Sequence, residues 1–282
     1  SAHFMEIVRQ KFSGVKVIIR ESNVEYLLLK SRNRDVKNIL KKKYLDVQVQ
    51  KMKMFEKKKL TEADGFTAIS KNDLQNLRKL APDTPSTISY PIIDIPEKQY
   101  ESDKNKILIV GNWKWQPNLD GLIWFLNNCW YDIDKISSNL KLIVAGSAIP
   151  KKVRNQYISD NLIFPGFVKN LEKLRQEAKS FVAPVFKGSG IRIKILEALA
   201  SGCHVITTNL GIQGLPLRKN RDYLPAENKE DFIQQITKVV SQSSDLADIP
   251  RNARKYVQLN HSRNSVTTQL EDFFKIVKRR AE

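Results

Sequence analysis

The sequence predicts an α/β protein with parallel sheets, organised as two domains of unequal completeness. Short apolar, β-forming runs alternate with segments of helical period along the 282 residues. Residues 180–215 read as buried strand, glycine loop, helix, buried strand and second glycine loop, and so short a crossover implies parallel strands. Proline-bearing, acidic residues 91–105 (PIIDIPEKQYESDKN) separate a lysine-rich first third from the remainder.

Taken in order, residues 2–12 read as a short helix and 15–20 (VKVIIR) as a strand running into Glu21-Ser22-Asn23-Val24-Glu25-Tyr26. Helical, lysine-rich sequence fills 34–63, followed by strand 65–70, helix 71–80 and strand 87–90 before Pro91. We place the first domain at 1–95, the linker at 96–105 and a second domain at 106–262. That second domain opens with strand 107–110 and the turn Gly111-Asn112-Trp113. A helix from Pro117 places Leu122, Phe125 and Leu126 on one face. Strand 140–145 ends at Gly146, and strand 162–164 runs into Pro165-Gly166-Phe167-Val168. Helix 171–178, strand 180–186 and the loop Lys187-Gly188-Ser189-Gly190 follow. Ser189 is a good N-cap for the next helix, in which Ile191, Ile195 and Leu199 repeat at i, i+4, i+8 and Ser201-Gly202 is the stop. Strand 204–208 and helices 232–240, 249–259 and 266–280 complete the chain.

The start of the helix after Gly190 carries an anomaly. Helix N-termini favour carboxylates, and a cation there costs roughly 0.3–1 kcal/mol. Here Arg192 and Lys194 precede the first acid, Glu197. Two cations beside glycines that expose backbone N–H groups make a site for an anion, most simply a phosphate or diphosphate. Lys194, Glu197 and Ser201 share one polar stripe. The alternative is a surface ion pair between Lys194 and Glu197, which leaves Arg192 and the glycines unexplained.

Composition narrows the rest. The chain is 41% hydrophobic, has no apolar run near the ~18–20 residues of a membrane span, and opens without a signal-peptide pattern. Cys129 and Cys203 have no metal or redox spacing and read as buried free thiols of a cytoplasmic protein. The net charge is +18, and residues 30–59 hold twelve basic residues against Asp35, Asp46 and Glu56. Aromatics are not interleaved with these lysines and no nucleic-acid motif occurs, so nucleic acid is not an expected partner. The patch suits anionic lipid headgroups or a phosphate-bearing acceptor, or is a well-solvated helix face.

The segment GSGIRIKILEALASGCHVITTNLGIQGL resembles the donor-binding segment of nucleotide-sugar-dependent, retaining glycosyltransferases of the two-domain GT-B architecture, family 4 (group 1 type). The resemblance implies that Glu197 takes the ribose hydroxyls of a nucleoside diphosphate sugar. Arg192, Lys194 and the N–H groups around Gly188, Ser189 and Gly190 would take the diphosphate, with no metal or other cofactor. The common Glu-x7-Glu pattern is broken, because Ser189 stands eight residues before Glu197. GNWKWQPNLDGLIWFL resembles the family's first donor-domain strand and turn, which brings in Gly111, Asn112 and Lys114, and the resemblance implies that the loop holding Phe167-Val168 lies against the nucleobase. Glu21-Ser22-Asn23-Val24-Glu25-Tyr26 is similar to an acceptor-domain segment, with Ser22 where the family has His. Residues 263–282 would pack back across the first domain.

The expected function is transfer of a sugar from such a donor to a glycan or lipid-linked acceptor in polysaccharide or glycoconjugate biosynthesis, by a cytoplasmic protein peripheral on the inner face of the membrane. Residues 1–95 offer about three strands and no glycine-rich first turn, against five or six strands in a doubly wound domain. The expectation is that the first half of the acceptor domain is missing from this sequence, that the chain binds donor but transfers little sugar, and that residues 1–95 associate through a free edge. Two other classes stay open on the residues alone: a nucleotide-binding fragment without turnover, and a nucleic-acid-binding protein resting on charge. Asp132-Ile133-Asp134 matches a metal-binding signature but follows a helix rather than a buried strand. His3, His204 and His261 lack ligand spacing.

Overall fold

A computed structural model describes residues 4–33, 36, 38–97, 103–136, 139–188 and 190–279. The chain divides into two compact units, residues 92–263 and residues 1–91 with 264–282. Both are α/β with parallel sheets, so the expected fold class holds.

In the larger unit six parallel strands are ordered β6-β5-β4-β7-β8-β9. They are β4 (Asp103–Val110), β5 (Lys141–Ala145), β6 (Leu162–Gly166), β7 (Ala178–Ala183), β8 (His204–Thr207) and β9 (Leu224–Pro225). Alternation along β4 decides the layers: Ile107 and Ile109 enter one core with Leu122, Phe125, Phe232 and Ile236, while Leu108 and Val110 enter the other with Ile195, Leu199, Ala253 and Val257. The helices over the first face are α5 (Gln116–Phe125), a π-helical turn (Leu126–Trp130), the short α6 (Tyr131–Asp134) and α10 (Lys229–Val240). Over the second face lie α9 (Ile193–Ala200) and α11 (Ile249–His261), with α8 (Leu171–Glu177) packed beside β7. Helix α7 (Lys151–Gln156) joins β5 to β6.

The smaller unit is a three-stranded parallel sheet, β1 (Ile18–Glu21), β2 (Gly65–Ala68) and β3 (Ser86–Ile88), in the order β1-β2-β3. Its helices are α1 (Met5–Lys11), α2 (Glu25–Asn33), α3 (Ile39–Glu62), α4 (Lys71–Arg78) and α12 (Arg263–Arg279). Helix α12 lies over β2, where a Cβ on Gly65 would stand 3.0 Å from both the Phe273 ring and Val277.

Several expected boundaries move. Strand β4 begins inside the expected linker and the division between units falls after Pro91, because Ile93 already donates to the His261 carbonyl at 2.8 Å and joins the core of the larger unit. Helix α2 was not expected. It forms because the buried Glu56 carboxylate accepts the N–H groups of Glu25 and Tyr26 at 2.8 and 3.0 Å and so caps it. The expected strand 180–186 begins earlier, at Ala178, and ends at Ala183, since Pro184 cannot donate to a sheet.

Candidate functional site

Strand β4 lies at the centre of the larger sheet, and the strand order reverses between it and β7. Loops leaving their C-terminal ends diverge, which opens the crevice where open α/β sheets take ligands. Close approach of glycines builds its floor. Gly146 has φ +130°, and a Cβ there would sit 1.8 Å from the Gly111 carbonyl oxygen. The Gly111 N–H donates to Ala145 at 3.1 Å and the Gly146 N–H to Gly166 at 2.8 Å, so the turns after β4, β5 and β6 are laced together. On α5, a Cβ at Gly121 would stand 2.1 Å from the Pro184 carbonyl oxygen, which holds the helix against the end of β7.

Two cations stand at this switch point. The Lys194 ammonium, on the first turn of α9, donates to the Val110 carbonyl at 3.2 Å and to Asn118 Oδ1 at 3.1 Å, tying the segment after β7 to that after β4. Burial, and secondarily the neighbouring Arg192 charge, push the Lys194 pKa down from 10.5 to about 8. Arg192 is the N-cap of α9, with extended φ −91° and ψ 93°, and its guanidinium donates to the Gly190 carbonyl; burial lowers its pKa as well. Gly188 and Gly190 adopt φ +106° and +80°, the left-handed region that glycine fills without strain.

The helix therefore starts at Ile193, after the left-handed Gly190 and extended Arg192 rather than directly after an N-cap at residue 189; Ser189 itself lies outside the described residues. Among the described residues, neither Arg192 at the N-cap of α9 nor Trp115 at the N-cap of α5 makes a side-chain cap hydrogen bond. Asn38, Ser70, Asn170 and Asn228 do cap α3, α4, α8 and α10. Neither α5 nor α9 has an acid in its first turn, so both present uncompensated N–H groups beside the cations.

The expected polar stripe separates. Glu197 turns from Lys194 to Arg175 on α8, accepting from Nη1 at 3.1 Å. Arg175 is largely buried, with 10% side-chain exposure, and sequence reading missed it because the pair is 22 residues apart with no local spacing to mark it. Asn118, Asp120 and Lys187 were missed too; Lys187, in the loop after β7, reaches Asp120 on α5 at 3.4 Å. Asn112 shapes its turn, accepting the Lys114 N–H at 3.1 Å, and Lys114 is exposed. Phe167 is exposed and Val168 half-buried after β6, two strands from β4.

The Arg175 pairing makes Glu197 testable in two parts. Glu197→Gln keeps an oxygen for Arg175 and is expected to leave Tm within a few degrees of the parent. Glu197→Ala leaves a buried guanidinium without its carboxylate and is expected to lose about 3 kcal/mol in denaturant unfolding. Equal stability of the two variants would show that the pair holds nothing together.

Several titratable groups elsewhere are tied into the fold by their partners. Asp132 pairs with Lys229 at 2.8 Å, and Asp134 accepts from Asn161 at 2.8 Å and Ser159 at 3.1 Å, so the two carboxylates serve different contacts. Among the described residues no three His, Cys, Asp or Glu side chains cluster as metal ligands. Both ring nitrogens of buried His204 face carbonyl oxygens, of Lys179 and Leu246. Cys129 and Cys203 are buried free thiols with pKa pushed up to about 12 by burial. In the smaller unit Glu21, at the C-terminal end of β1, is raised to about 7 by burial and by the nearby Glu56 and Glu25 carboxylates.

Fold and site define a Rossmann-like α/β protein with a cationic crevice at its switch point, and solved GT-B glycosyltransferases share that fold. HepE of Anabaena, in complex with UDP and glucose, superposes with a TM-score of 0.68 at 12% identity over 97% of this chain and 74% of its own. S. aureus TarM superposes with a TM-score of 0.64 at 14% identity, over 79% of this chain and 46% of its own, so the chain matches less than half of TarM's length. An uncharacterized 44.6 kDa protein of the cps region of Klebsiella pneumoniae is 26% identical over 263 residues, 90% of this chain and 67% of that protein. Residues 104–242, just under half of the chain, match the family model described as Glycosyl transferases group 1.

Proposed function

We propose that the crevice between β4 and β7 binds a nucleoside diphosphate sugar, and that the protein transfers the sugar to a glycan or lipid-linked acceptor. The observation that carries this reading is the meeting of Arg192, the desolvated Lys194 and the uncapped N-termini of α5 and α9 at one switch point. A diphosphate supplies the negative charge this arrangement lacks, and as a leaving group it gains charge during transfer, so the same cations stabilise the transition state more than the ground state. Gly188 and Gly190 let backbone N–H groups approach the phosphates, and Glu197, fixed by Arg175, accepts from the ribose hydroxyls. The reaction is proposed to need no metal and to retain anomeric configuration. UDP in the HepE complex and the cps-region origin of the Klebsiella relative support a nucleotide-sugar donor and polysaccharide biosynthesis. We place the protein in the cytoplasm, peripheral to the membrane; among the described residues no helix is long and apolar enough to cross one.

The test is a rise in Tm with UDP or GDP, followed by transfer from a panel of nucleotide sugars, with the product anomer read by NMR. No shift with any nucleoside diphosphate would sink the donor assignment. A second consequence concerns protons. With its pKa near 8, Lys194 is about half deprotonated at pH 8, and a bound diphosphate restores its charge. Titration calorimetry with a nucleotide sugar, whose esterified diphosphate has no proton to lose in this range, in buffers of differing ionisation enthalpy should show uptake of up to about half a proton per ligand at pH 8, falling towards zero at pH 6. The sign for stability is opposite: a lysine depressed below 10.5 opposes folding while protonated, so its contribution to unliganded stability rises between about pH 8 and 10.5.

A further inference from the structure

Helix α3 is apolar on two faces. One is buried, at Val49 and at Leu60, the latter joining the core of the smaller unit. At 100° per residue Leu40, Tyr44, Val47, Lys51, Met54 and Lys58 fall within about 40° of a single line on the opposite side. The apolar members of that line are 80%, 64%, 52% and 64% exposed for Leu40, Tyr44, Val47 and Met54. Lys43 borders it.

Charge on the helix is segregated in the same sense. Its 24 residues hold eight lysines and three acids. Each of the three acids has a partner: Asp46 accepts from Asn33 of α2 at 2.7 Å, Glu56 caps α2, and Glu62 pairs with the buried Lys59 at 3.1 Å and, more loosely, with Lys58 of the stripe at 3.7 Å. The solvent side is left with exposed apolar groups and exposed lysines. We infer that α3 lies flat in the interface of an anionic bilayer, with Leu40, Tyr44, Val47 and Met54 at the headgroup–acyl boundary and Lys43, Lys51 and Lys58 on phospholipid phosphates. An apolar stripe edged by lysines is the pattern of an interfacial helix, and lysine stems lie along apolar surface while their ammonium groups reach the headgroups. Charge complementarity selects this occupant: a second copy of the stripe would set lysines 43, 51 and 58 against like charges. The inference rests on the proposal of a membrane-peripheral protein and assigns that contact to named residues.

The experiment uses the whole chain with vesicles of phosphatidylcholine alone and of phosphatidylcholine mixed with phosphatidylglycerol, whose negative surface potential attracts basic segments. The chain is expected to sediment with the anionic vesicles and not with the neutral ones. A Tyr44→Trp variant is expected to shift its emission to the blue on binding and to be quenched by brominated acyl chains. The triple variant Leu40→Ser, Val47→Ser, Met54→Ser is expected to partition at least about tenfold less, since three side chains lose their apolar burial. Its UDP-induced Tm rise, which belongs to the other unit, is expected to match the parent, so a failed donor reading and a failed membrane reading are told apart. Equal recovery with both vesicle types, wild-type partition of the triple variant, or a dimer that the triple variant abolishes would each overturn the inference, the last by giving the stripe to a second copy.

Discussion

Arg192→Ala is expected to weaken UDP binding by about 10- to 100-fold and to remove most of the UDP-induced rise in Tm. Hydrogen bonds from a charged donor to a phosphate contribute roughly 1.5–3 kcal/mol, and each 1.4 kcal/mol is tenfold in affinity. Arg192→Lys is expected to recover only part, because an ammonium cannot make the planar, two-pronged contact of a guanidinium. The variant also reports on its neighbour. Arg192 is the second cause of the depressed Lys194 pKa, after burial, so its removal is expected to move the midpoint of proton uptake above pH 8. Parental affinity in Arg192→Ala, with an unmoved midpoint, would remove Arg192 from the site.

Gly146→Ala is expected to be the most destabilising single change near the crevice, by about 3–5 kcal/mol. Two costs coincide there. The backbone has φ +130°, which an L side chain adopts under strain, and the new Cβ would stand 1.8 Å from the Gly111 carbonyl oxygen, a backbone atom that cannot step aside alone. For a unit of this size the loss corresponds to a fall in Tm of roughly 10 °C or more. UDP affinity is expected to fall as well, since relief of the clash displaces the turn after β4 and with it the Val110 carbonyl that holds Lys194. Gly14→Ala is the matched control. Gly14 also has positive φ, +78°, but a Cβ there meets nothing within 4 Å, so only the conformational penalty of about 1 kcal/mol applies. Similar losses in the two variants would mean that the close approach of the turns after β4 and β5 contributes nothing.

Much of the architecture is legible in the amino-acid sequence. The short apolar runs within β5 (142–145), β7 (181–183) and β8 (205–206) mark buried strands, and the glycines between β7 and α9 mark a left-handed loop, because periodicity and φ preference are local properties of the chain. Helix α2 and strand β9 are not legible there. The first is capped by a carboxylate from α3 and the second is a two-residue strand that exists only beside β8, so neither carries a local signal.

The candidate site divides along the same line. That Arg192 and Lys194 stand at the start of a helix with no acid to balance them can be read from the sequence, as can the lysine excess of α3. Only the tertiary structure decided what those charges meet. Strand order brings β4 beside β7, and this gives Lys194 the Val110 carbonyl and Asn118, 84 and 76 residues away, while packing of α8 under α9 gives Glu197 to Arg175. Packing likewise turned one side of α3 into the core and left Leu40, Tyr44, Val47 and Met54 in solvent. Composition and period govern whether a side chain is buried. Which partner it finds there depends on the order and register of strands distant in sequence, which no short stretch of chain encodes.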